Sequence, residues 1–134
     1  MKIKARPWPE IVEFYRNLVE SHGWSFEPML ELVRRLEASD YASGLVAYTS
    51  VATLIVSQSE ANFWRGPELR ISFAPSKREF AFTYRQRLDD DDPWTRTARA
   101  DEGFEALERF LVKRARWFRK AASTAQNTPS PSSA

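Results

Sequence analysis

"ELRISFAPSKREFAFTYR", residues 68–85, decides the fold. Leu69, Ile71 and Phe73 alternate with Arg70, Ser72 and Ala74; Phe80, Phe82 and Tyr84 then alternate with Ala81, Thr83 and Arg85. Successive side chains of a strand point to opposite faces, so each half predicts a strand with one apolar face and one polar face. The Pro, Ser and Lys of "APSKRE" supply a short connection, which makes the pair an antiparallel hairpin.

Working outward, "TLIVSQ" (53–58) is β-branched and reads as another strand, and "LVAYT" (45–49) as an earlier strand or an extended lead-in. Before these the period changes. Pro9 opens a helix in which Ile11, Phe14, Tyr15, Leu18 and Val19 form one apolar stripe, and Gly23 ends it. Ser25 is placed to cap a second helix, with Pro28 in its first turn and Met29, Leu32, Val33 and Leu36 on its buried face. After the meander, a third helix begins near Asp101 as N-cap and carries Phe104, Leu107, Leu111, Ala115 and Phe118 on a stripe. The predicted fold is α+β: a two-layer sandwich of two N-terminal helices, an antiparallel meander of three to four strands, and one C-terminal helix. Its outer sheet face, with Arg70, Ser72, Thr83 and Arg85, is expected to meet water.

A chain of 134 residues suits one domain, read as 1–120. Residues 121–134, "AASTAQNTPSPSSA", contain no aliphatic side chain larger than alanine and read as a flexible tail. The absence of cysteine excludes disulfides, thiolate catalysis and zinc sites built on Cys. "MKIKARPWPE" has no apolar stretch behind its charges, so no secretory signal is expected, and "GLVAYTSVATLIV" is too short and too hydroxylated to span a bilayer. A cytoplasmic protein without membrane association is the resulting expectation. The formal charge is only +2, but 15 of the 20 basic residues are arginine, the cation best suited to pairing carboxylates and stacking on aromatic rings.

Several chemistries find no support. His22 is the single histidine, no serine sits in a nucleophile elbow, and at the end of a helix His22 reads as a partner of the helix dipole rather than a base. An enzyme using His22 as acid or base is the third reading. The four glycines, Gly23, Gly44, Gly66 and Gly103, lie too far apart for a phosphate-binding loop. Asp89, Asp90, Asp91 and Asp92 are contiguous and run into Pro93, whereas a calcium loop alternates its ligands and turns on a glycine. They read as a solvated loop among Arg85, Arg87, Arg96 and Arg99, and neither metal nor cofactor is expected.

Two loops stand out: "SEANFWRGPE" (59–68) and "RLDDDDPWTRTAR" (87–99). Phe63, Trp64 and Arg65 in one, and Trp94 and Arg96 beside the aspartates in the other, are residue types that dominate binding hot spots. With both indoles pointing outward, these residues and the acidic run predict a non-enzymatic module of adaptor, inhibitor or immunity type, binding another protein as a monomer or homodimer. The alternative partner is nucleic acid, held by Arg109, Lys113, Arg116 and Lys120 as one basic stripe of the last helix.

Overall fold

The computed structural model describes residues 3–87 and 89–119. Helix α1 (Trp8–Glu20) opens with Pro9 in its first turn and buries Ile11, Val12 and Tyr15. It closes through Gly23, whose φ of +69° lets the Trp24 amide return to the Leu18 carbonyl at 2.9 Å. Helix α2 (Glu27–Ala38) buries Met29, Leu30, Leu32, Val33 and Leu36. Ser25 does not cap it. Phe26 holds the cap position without a side-chain bond, while Glu27 supplies the negative charge and Pro28 removes a donor that a cap would have served.

The sheet is an antiparallel meander of five strands in chain order: β1 (Val46–Ser50), β2 (Thr53–Ser57), β3 (Glu68–Ala74), β4 (Glu79–Arg85) and β5 (Trp94–Arg99). "LVAYT" thus contributes a full strand, and the central hairpin pairs from Glu68 opposite Arg85 to Ala74 opposite Glu79. The fifth strand corrects the reading of residues 94–99 as loop. It pairs with β4 from Tyr84 opposite Trp94 to Glu79 opposite Arg99. As an edge strand it carries Thr95, Arg96 and Thr97 exposed, so no apolar alternation marks it; its signal is the β-preference of Trp and Thr.

Alternation sends Leu54, Val56, Leu69, Ile71, Phe73, Phe80, Phe82 and Tyr84 toward the helices, where they join the apolar faces of α1 and α2 in the main core. Each such side chain contributes about 1.5–3 kcal/mol by leaving water. The opposite sheet face is not uniformly wet. At one end Tyr48, Ile55 and Phe63 form a second buried cluster, with Ile3 and Ala5 packed against it.

After β5 the chain makes a tight turn (Ala100–Glu102), helix α3 (Gly103–Arg109), and a π-helical segment (Phe110–Arg114). Asp101 does not cap α3; its carboxylate pairs with Arg99 at 3.3 Å. A side chain at Gly103 would put its Cβ 2.4 Å from the Phe80 ring, so the first turn of α3 sits directly on β4. The change of period at Phe110 breaks the basic stripe: Arg116 lies beyond the helical segment with φ +58°. Lys120 and the expected tail 121–134 lie outside the described residues. Among the described residues no helix is long and apolar enough to cross a membrane.

Candidate binding groove

The loop from β2 to β3 is stitched down. Asn62 donates to the Ser57 hydroxyl at 3.0 Å, and Ser57 donates to the Pro67 carbonyl at 2.6 Å. Phe63, expected at an interface, is 5% exposed and meets Tyr48 edge-on at 4.6 Å between centroids. It covers Tyr48 and Ile55, large side chains that the alternation of β1 and β2 would otherwise leave in water. Trp64 does emerge, at 48% exposure, and Arg65 is exposed beside it.

The backbone of Trp64 is left-handed at φ +67°, a conformation costing about 1–2 kcal/mol for a side-chain-bearing residue. Its amide donates to the Glu68 carboxylate at 3.2 Å. Glu68 is buried and also accepts from Arg70 Nε at 2.9 Å, and the Arg70 guanidinium lies 5.5 Å from the Trp64 ring centroid. Burial raises the pKa of the Tyr48 phenol; the Glu68 charge adds to the shift and Arg70 opposes it. Glu68 thus matches Arg70 and the Trp64 amide, while Arg65 has no carboxylate oxygen within 4.0 Å among the described residues and the Tyr48 hydroxyl is buried without a hydrogen-bond partner.

The acidic run forms a turn at the same end of the sheet. The Asp90 amide donates to the Arg87 carbonyl and the Asp92 amide to the Asp90 carboxylate, both at 3.1 Å. Asp89, Asp91 and Asp92 are exposed. Of the four arginines expected around them, Arg87 pairs with Asp89 at 3.6 Å, whereas Arg99 is taken by Asp101. Among the described residues no group of three or more His, Asp or Glu is arranged to hold a metal.

Trp94 is placed differently from Trp64, on the helix-facing side of the sheet. Its ring leans on Phe110 at 5.1 Å, and Phe110 in turn meets Tyr84 at 5.0 Å and Trp117 at 5.9 Å. Trp94 is thus half-buried, and the two indoles belong to opposite sheet faces rather than to one surface. Trp94, Ala106 and Phe110 floor a cleft of about 250 Å³ whose walls are Arg96, Arg109, Lys113 and Arg114.

The guanidinium groups of Arg96 and Arg114 lie 5.5 and 5.7 Å from the Trp94 centroid, within cation–π range. Among the described residues none of these four cations has a carboxylate oxygen within 4.0 Å. Burial raises the pKa of Tyr84 behind this wall, opposed by Arg114. The cleft continues along β5 into a second of about 340 Å³, between Arg96, Thr97 and Ala98 on the strand and Asp101, Glu102 and Glu105 at the start of α3.

Residues assigned from sequence to rival partners therefore meet in one place: Trp94 and Arg96 from the protein-binding set, Arg109 and Lys113 from the nucleic-acid set. Arg114 and Ala106 were not anticipated; the π-helical segment that brings Arg114 to the cleft leaves no period to read. His22 stands exposed in the turn after α1, outside this groove, with no carboxylate oxygen within 4.0 Å among the described residues. No protein-family model, curated protein or solved structure matches the chain.

Proposed function

We propose that this chain is a non-enzymatic binding module that captures an acidic segment of another protein in the groove between β5 and α3. One observation carries the reading: four cations without carboxylate partners among the described residues surround an aromatic floor. Like charges gathered around a low-dielectric surface repel one another, and an anionic ligand relieves that repulsion. The floor of Trp94 and Phe110 gives the ligand apolar area to cover, the combination of aromatic anchor and arginine that concentrates binding energy. The acidic turn at Asp89–Asp92 lies just before Trp94 and disfavours a ligand that is anionic along its whole length.

The test is capture from native extract by the wild-type protein and by the Arg109→Glu, Lys113→Glu double variant, read by mass spectrometry. A protein enriched on the wild type and lost on a variant with an unchanged thermal midpoint supports the reading. The same protein retained at full yield on the variant overturns it.

Nucleic acid is the second reading, favoured by the two guanidinium groups over Trp94 in the cleft that also holds Arg109 and Lys113. Four phosphate contacts to a single strand predict affinity falling about 50-fold between 50 and 200 mM salt. A shift of labelled single-stranded DNA or RNA with that slope would favour this reading over the first.

A further inference from the structure

Building on the protein-binding reading, we propose that the groove takes its partner as an added β-strand: an extended peptide pairs main chain to main chain along the free edge of β5, with acidic side chains at alternate positions facing Arg96, Arg109 and Lys113.

The two edges of the sheet differ. β1 is closed by the chain itself: the Arg6 amide donates to the Ala47 carbonyl at 2.8 Å, and Ile3 and Ala5 pack beside it. β5 is the other edge, and among the described residues no backbone group outside the sheet reaches it. The direction of its amides follows from one bond. The Ala100 amide donates to the Arg78 carbonyl at 3.0 Å, toward β4. Strand alternation then turns the amides and carbonyls of Thr95 and Thr97 away from β4, to the open side. Exposed edges of this kind are where extended peptides add, with main-chain bonds giving affinity and flanking side chains giving specificity.

α3 runs back along β5 and sets its charges beside that edge. Arg109 and Lys113 stand by Trp94 and Arg96, and Glu102 and Glu105 stand by Thr97 and Ala98. The end beside Trp94 is positive; at the other end Glu105 is paired with Arg35 and Asp101 with Arg99, both at 3.3 Å, which leaves Glu102 as the anion without a cation partner among the described residues. A nucleic acid backbone has no N–H groups to answer the outward carbonyls of Thr95 and Thr97, whereas an extended peptide answers both their carbonyls and their amides, and a basic side chain at its far end can face Glu102. Side chains of an added strand alternate between faces, so only every second residue of the peptide meets α3, and the motif has a period of two. The six residues of β5 offer roughly 20 Å of edge, enough for a segment of similar length.

The probe is a blocked octapeptide with glutamate at two alternate positions, lysine at the next two alternate positions and valine between them, together with its reversed sequence, titrated into the full chain. One of the two is expected to bind with Kd below about 1 mM. Methylating the backbone nitrogens that face β5 should weaken it about 10-fold or more, while methylating the intervening nitrogens changes affinity less than about 2-fold.

Thr97→Pro deletes an outward amide that the ladder does not use, so the fold is kept and peptide affinity falls about 10-fold. Should that variant not fold, the methylated peptides decide alone. Binding that is indifferent to methylation and to Thr97→Pro but lost in the Arg109→Glu, Lys113→Glu protein overturns strand addition and leaves capture by charge standing. No binding of either peptide to the wild type also overturns strand addition, while the extract experiment judges the underlying reading separately. Preference for a single-stranded oligonucleotide over both peptides overturns both.

Discussion

Trp64 and Trp94 look alike in sequence, each beside an arginine in a polar stretch, yet they occupy contrasting surroundings. Trp64 is the more exposed ring, but Glu68 matches both its amide and Arg70, Phe63 is buried, and Arg65 is the single cation beside it without a carboxylate partner among the described residues. Trp94 is more covered, yet among the described residues the four cations around it have no carboxylate partners. On the reading proposed above, several uncompensated cations around a ring count for more than the exposure of the ring itself, because a matched neighbourhood gains little from a partner.

The sharpest test of this contrast lies at the closed end. Phe63→Ala should cost about 3–5 kcal/mol in chemical denaturation, as expected for emptying a buried aromatic site. Trp64→Ala, one residue on, should cost less than about 1 kcal/mol, and Trp94→Ala should fall between them. Equal losses at 63 and 64 would show that the whole loop is structural. A smaller loss, about 2 kcal/mol, is expected for Gly66→Ala. Its φ is +82° and an added Cβ would lie 2.5 Å from the Gln86 carbonyl oxygen, so the β2–β3 loop would have to lift from the β4–β5 connection. At the groove the effect should nearly vanish: Arg109→Glu and Lys113→Glu should each change stability by no more than about 0.5 kcal/mol, since among the described residues neither cation has a carboxylate partner to lose. A loss above 2 kcal/mol there would mean that these cations support the fold.

The elements carried by periodicity were legible. The stripes of α1 and α2 and the alternation of β3 and β4 need only one face to be apolar, and they hold in the structure. β5 was hidden because Arg96 interrupts Trp94 and Ala98 on its helix-facing side, so no apolar alternation marks a strand that pairs through its backbone. Phe63 was misplaced for a related reason: nothing local says that the outer face of Tyr48 and Ile55 needs covering, a requirement that exists only once β1 and β2 are paired. The groove was half legible. Trp94, Arg96, Arg109 and Lys113 stood out by residue type, but they were divided between two partners because their meeting depends on the turn at Ala100–Glu102 and on the break in helical period at Phe110.

Gly103 gives that groove its width. With hydrogen in place of a methyl group, the start of α3 rests against the Phe80 ring, where an added Cβ would lie 2.4 Å from the nearest carbon. An alanine there would act as a shim. It would lever up the acidic end of the helix, and every spacing between the helix charges and the strand edge would change together, although residue 103 itself lies buried. The width of the groove is set by a position that carries no side chain.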